Sequence, residues 1–433
     1  MNICKIKGSL GQHISRTITI MLIVAMTILY FADINLQYFF CFSIIIIYVL
    51  MIPKKILNPK NIVFFYYFVW YVFAPLITSR SGQGIWMHKN VINKAFLMCF
   101  MTYSIAMIVL DISIGFTEKH EIFNDTSEIR CSFFYTVIHW GIYLLGFIIY
   151  ILRTGGLSRW LGDSNTYFYR RGVGQYYLLY SLALTILTFF EGQIRTGKKS
   201  VRICRRTLFF IFLLLNSSFI GSRGAMLILL LMLFCESIFK ENLISKRTIL
   251  LCGGGILVFI ISMYMRLGDW KFVFSYIPYY FNTFELFGQL ILDYSPGWMQ
   301  TIFMPFLWPF IKAGIISSNH FYDMSVWLTT KYFPNSWEVD QGTQQWNIES
   351  DLYLSFHYYW GIPLLILYFV IIAILYKKAF NKGGIWKLVY VNEAIYILSH
   401  LRGGVFIYWY WYLIPLYVWL IMRYDKHAKY HFV

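Results

Sequence analysis

The chain has 433 residues, of which 59% are hydrophobic, 21% aromatic and only 13% charged, and its formal net charge is +17. A soluble domain carries roughly twice that fraction of charge, so an ordinary water-soluble fold is excluded. Apolar runs of about 15 to 25 residues recur from end to end, so the expected class is an all-α polytopic membrane protein rather than a β-barrel.

The N-terminal tail, with Lys5, Lys7 and Arg16, is expected inside the cell. Spans are expected at about 17 to 31 and about 35 to 53, joined outside by the turn Ala32-Asp33-Ile34-Asn35. The first apolar run lacks a small-residue cleavage site, so no cleavable signal peptide is expected. Lys54, Lys55 and Lys60 bring the chain back inside, and further spans are expected at about 61 to 79, 92 to 114 and 132 to 152. An outer loop over residues 153-175 then breaks the positive-inside pattern, because it holds Arg153, Arg159, Arg170 and Arg171 and no lysine. Guanidinium groups bind phosphate oxygens in pairs, and the neighbouring Trp160, Tyr167, Phe168 and Tyr169 suit sugar faces. The alternative is an interfacial segment touching lipid headgroups.

After a span at about 176 to 191 comes the stretch from Arg206 to Lys240, basic on both flanks and broken near its middle by Gly221-Ser222-Arg223-Gly224. If both flanks lie inside, the chain must cross and return within roughly 33 residues, where two full spans need about 40. The expected form is a short hairpin with a recessed arginine at its outer tip, a costly position that reads by default as functional. A span at about 248 to 265 ends at Arg266, and an outer segment, residues 266-351, follows. Its amphipathic and Pro-broken composition suits the membrane surface. A span at about 352 to 376 returns to Lys377, Lys378, Lys382 and Lys387. Between Lys387 and Arg423 the hairpin logic recurs, with its tip at Leu401-Arg402-Gly403-Gly404. The sum is about twelve spans in one membrane domain, residues 1-433, with both termini inside and roughly two thirds of the 37 Lys and Arg on that side. That placement accounts for the net charge, and nucleic acid is not an expected partner. The seven cysteines fall in spans or on the inner side, so no disulfide framework is expected.

No phosphate-binding G-x-x-x-x-G-K-[ST] loop, H-E-x-x-H pair or G-x-G-x-x-G stretch is present. What remains is the convergence of Arg170, Arg171, Arg223, Arg266 and Arg402 on the outer half of the membrane, which suits an anionic, pyrophosphate-bearing lipid substrate. A glycosyl transfer also needs a base for the acceptor hydroxyl. His320, Asp340, Glu349 and His400 are the candidates, with Asp351 and His357 nearby. The competing reading makes Arg223 and Arg402 snorkelling turn residues, Arg266 an interfacial anchor and Asp351 a helix cap. His400 and His357 then become satisfied packing groups, and the aromatic stripes face lipid or core. No metal site or cofactor is expected.

Phe219-Ile220-Gly221-Ser222-Arg223-Gly224-Ala225, the segment Gln341 to Tyr359 with Gly361-Ile362, and Ser399-His400-Leu401-Arg402-Gly403 resemble stretches of the O-antigen and polysaccharide repeat-unit polymerases of the Wzy type. The resemblance implies a GT-C-like membrane glycosyltransferase of the bacterial inner membrane. Its substrates would be undecaprenyl-pyrophosphate-linked oligosaccharides, and a chain-length regulator protein would be a partner. It implies pyrophosphate binding by Arg223 and Arg402 and glycan or carrier binding by Arg170 and Arg171, and it leaves the base open. An O-antigen ligase shares this outline. A flippase would be expected to show two related halves and short loops. A membrane acyltransferase would call for a histidine within a span, for which His139 is the candidate.

Overall fold

The computed structural model describes residues 2–81, 89–115, 133–158, 174–193, 199–220, 241–271, 283–298, 324–335, 346–382 and 385–405, with single residues and short runs between them. These are helical throughout, and among the described residues the β-geometry is limited to one isolated bridge, Lys55 with Asn242. In chain order the helices are α1 (Asn2–Phe31), α2 (Gln37–Leu50), α3 (Pro59–Tyr67), a π-helical turn (Phe68–Phe73) and α4 (Ala74–Ser81). Then come α5 (Lys89–Ile114), α6 (Phe133–Arg153), α7 (Gly174–Gln193), α8 (Lys199–Ile220) and α9 (Lys246–Leu267). The last group is α10 (Thr283–Asp293), α11 (Met324–Tyr332), α12 (Ile348–Phe356), a 3₁₀ turn (Tyr359–Gly361), α13 (Ile362–Lys382) and α14 (Ile385–Gly403).

Five helical stretches among the described residues are long and apolar enough to cross a membrane: Gly11–Phe31, Pro59–Ile77, Asn90–Ile114, Thr136–Arg153 and Tyr359–Lys382. Gln37–Leu50 and Leu179–Gly192 are shorter apolar helices. The Asn90–Ile114 stretch in α5 is 72% buried and Gly11–Phe31 in α1 only 17%, which makes α5 the axis of the bundle and α1 a peripheral helix. Around α5 pack α1, α2, α3, α10 and α13. A second hydrophobic cluster joins α6 to α7 and α8 through Tyr143, Tyr150, Tyr180 and Leu213. There Gly146 lets the helices approach closely, since a Cβ at this position would stand 3.0 Å from Tyr180 Cβ.

Local chemistry sets the helix ends. The turn after α1 forms as expected: Asp33 has φ +53°, and Asn93 of α5 donates to the Ile34 carbonyl and accepts from Leu36 N–H. Asn58 caps α3 by accepting from Lys60 N–H, with Pro59 preset for the first helical position. α1 runs from Asn2 through the N-terminal tail into the first apolar run. One expectation needs correction. The stretch expected as one span at about 352 to 376 is two helices. His357 (φ +49°) and Tyr358 (φ +65°) turn the chain left-handed between α12 and α13. Backbone hydrogen bonds from Gly297 N–H to Tyr353 C=O and from His357 N–H to Gly297 C=O hold this corner.

In the stretch expected as a second hairpin, α14 has 19 residues and extends about 28 Å, longer than the short arm expected, and most of the residues after 405 lie outside the described ones. The helix ends where expected, at Gly403, with Gly404 at φ +110°.

Candidate functional site

Glu349 stands in the first turn of α12, where free backbone N–H groups favour a carboxylate. Asn347 sets that turn by accepting from Ser350 N–H at 3.0 Å. Glu349 is wholly buried. A buried carboxylate persists only where donors meet it, and here donors come from the end of α3 and the π-helical turn that follows it. Tyr67 hydroxyl donates to Glu349 Oε1 at 2.5 Å, and Tyr71 hydroxyl donates to Oε2 at 3.4 Å. Asn347 Nδ2 donates in turn to Tyr71 hydroxyl at 2.7 Å. Burial pushes the Glu349 carboxyl up from 4.5 to about 7, while the hydrogen bonds from Tyr67 and the backbone keep it from rising further.

The π-helical turn is what presents these hydroxyls. Tyr66, Tyr67, Trp70 and Tyr71 straddle the point where α3 widens to the Phe68–Phe73 turn, a rare geometry concentrated at functional positions. Tyr66 hydroxyl reaches the other way and donates to the Leu401 carbonyl at 2.8 Å. That carbonyl lies in the last turn of α14, where intrahelical donors run out. Tyr66 and Tyr71 hydroxyls are 3.4 Å apart, and because Tyr66 gives its proton to Leu401, the single proton of Tyr71 serves either Tyr66 or Glu349 Oε2; the hydroxyls form a line of polar contacts from the end of α14 to Glu349.

Arg402 sits at that helix end, part-buried, with its guanidinium 5.9 Å from the centre of the Trp70 ring. A cation there complements the negative end of the helix, and the aromatic face adds a cation–π contribution. Two residues on, a Cβ at Gly404 would come within 2.8 Å of Asp351 Oδ2. Glycine is therefore what allows the α14 end to seat against α12. Over the cluster lies α10, with Phe284 packing at 4.3 Å on Phe96 and at 6.1 Å on Tyr71. Phe281, just before it, meets Trp70 edge-on at 4.6 Å.

Of the residues singled out from sequence, Glu349 and Arg402 are brought to one place. His400 is not: it lies two residues before Arg402, about 200° around the helix. Its Nδ1 is 2.9 Å from Tyr368 hydroxyl of α13, and Glu393 Oε1 is 3.7 Å away. It is buried in the α13–α14 contact. Glu349 meets tyrosines, and Asp351 faces Gly404 at the end of α14. Arg266 falls in the last turn of α9. Arg170, Arg171, Arg223, His320 and Asp340 lie outside the described residues.

Tyr66, Tyr67, Tyr71 and Asn347 were missed. The signal was present, because three tyrosines within six residues of a span carry hydroxyls that cannot be left unpaired in hydrocarbon. Comparison with models of protein families, with curated proteins and with solved structures found no match to this chain.

Proposed function

We propose that this chain is a multi-pass membrane glycosyltransferase that polymerises undecaprenyl-pyrophosphate-linked repeat units, with Glu349 as its general base and Arg402 as an anion-binding group. The observation that carries the reading is the line of polar contacts from Glu349 through the Tyr71 and Tyr66 hydroxyls to the helix end bearing Arg402. A carboxyl poised at about 7 exchanges protons readily near neutral pH, as a general base requires.

In the reaction the acceptor sugar hydroxyl attacks the anomeric carbon of the donor glycan. The bond from that carbon to the pyrophosphate oxygen breaks, and the electron pair leaves with the pyrophosphate. Glu349 takes the hydroxyl proton. In the present arrangement Tyr67 hydroxyl occupies Oε1, the position an acceptor hydroxyl would need, so the productive complex requires Tyr67 to yield it. Arg402 would offset the charge growing on the leaving pyrophosphate. Arg223 would share that task, and Arg170 and Arg171 would hold the glycan or the second carrier lipid, in line with the family resemblance. Cleavage of the sugar–pyrophosphate bond supplies the driving force.

The test is the surface glycan of cells lacking this protein, resolved on a gel. Loss of long chains with a single repeat unit retained supports the polymerase. Loss of even the single unit would favour ligation or flipping, and an unchanged ladder would refute all three.

A further inference from the structure

At the C-terminal end of α5, the bundle carries a second concentration of charge. An open pocket of about 320 Å³ lies between Ser113 of α5 and Ile374, Lys377, Lys378, Asn381 and Lys382 of α13. Lys377 Nζ donates to the Ser113 carbonyl at 3.2 Å, tying the two helices together. Lys378 Nζ stands 4.3 Å from the centre of the Trp386 ring, which holds its charge at the rim. The nearest carboxylate on this end of α5, Asp111, is engaged by Arg16 at 2.8 Å and Lys60 at 3.2 Å.

The surface leading into the pocket is apolar. Leu367, Ile371 and Ile374 lie at helical spacing on α13, exposed by 55%, 48% and 44%, and Ile112 of α5 is exposed by 57%. One molecule therefore meets greasy helix faces along its length and three lysines at its end.

We propose that this pocket binds the phosphate headgroup of an anionic phospholipid, whose acyl chains lie along Leu367, Ile371 and Ile374. The apolar track distinguishes this ligand from free phosphate, which has no use for it. Basic pockets between membrane helices hold such headgroups through roughly 1 kcal/mol per Lys or Arg.

The test places the full-length protein in nanodiscs of equal phosphatidylglycerol and phosphatidylcholine and reads retained lipid by native mass spectrometry. The wild type should keep phosphatidylglycerol selectively. Lys378→Gln with Lys382→Gln leaves the Lys377 tie intact and should weaken retention by about thirtyfold. Lys378→Arg with Lys382→Arg should restore it, which separates lost charge from lost fold. Lys54→Gln with Lys246→Gln removes the same charge outside the pocket and should change nothing. Equal retention of phosphatidylcholine, or equal loss from the pocket and control variants, would overturn the proposal. So would displacement of the lipid by millimolar inorganic phosphate, which would mark a simple anion site.

Discussion

Tyr67 hydroxyl donates to Glu349 Oε1 at 2.5 Å across 282 residues of sequence, and this bond fixes a wholly buried carboxylate against the π-helical turn. The pairing ties the protonation of one side chain to the packing of three helices.

Burial raises the Glu349 carboxyl from 4.5 to about 7, so the folded state holds a proton that the unfolded chain has released between those values. Stability contributed by this group is therefore complete below about 4.5 and is lost as pH rises towards about 7. The total is on the order of 3 kcal/mol, from the 1.36 kcal/mol that each pH unit represents. Thermal unfolding in detergent across this window should show a falling difference between wild type and Glu349→Gln. A pH-independent difference would show that the carboxyl is not shifted.

Tyr67→Phe removes a donor to the carboxylate and leaves the ring. The Glu349 carboxyl should then rise above about 7. Above that pH the variant should lose about 1–3 kcal/mol, with little loss below it where the group is neutral. Unfolding of the variant at acid and alkaline pH reads this split directly, and an equal loss at both would mean that the hydroxyl acts elsewhere.

Gly404→Ala places a methyl 2.8 Å from Asp351 Oδ2 on a backbone at φ +110°. Strain and contact together should cost about 1–3 kcal/mol. Asp351→Ala in the same chain should recover the contact part and leave the backbone part. If the double variant is no more stable than the single one, α12 and α14 do not meet through these residues.

Asp111 answers two cations, Arg16 at 2.8 Å and Lys60 at 3.2 Å. Asp111→Ala strands the buried Lys60 and should destabilise the protein by about 3–5 kcal/mol. Lys60→Met added to it should return much of that loss. A mild effect of Asp111→Ala alone would show that the lysine reaches water without its partner.

Much of the helix layout is legible in the sequence where apolar runs end in charge. The span expected at about 132 to 152 appears as α6, Phe133–Arg153, while the stretch expected at about 176 to 191 appears as the helix α7, Gly174–Gln193, whose apolar part Leu179–Gly192 is shorter than a full span. The break at His357 and Tyr358 was not legible. Neither residue is a glycine or proline, and the corner is held by Gly297, some sixty residues away, rather than by local preference. The same applies to the site. Glu349 and Arg402 could be proposed because charge within an apolar chain is conspicuous. Their connection through Tyr66 and Tyr71 could not, because aromatic residues in a span usually pack, and hydropathy does not record where a hydroxyl points. His400 was drawn in for the opposite reason: adjacency to Arg402 in sequence puts it on a different face of the helix.

The most direct measurement is the chain-length ladder of surface glycan from cells in which Glu349→Gln replaces the native protein at equal membrane level. The substitution keeps the shape and one acceptor for Tyr67 and removes the base. A polymerase that relies on Glu349 should show loss of long chains, at least about a hundredfold, with the single repeat unit retained. A full ladder from Glu349→Gln would contradict the assignment of Glu349 as the base.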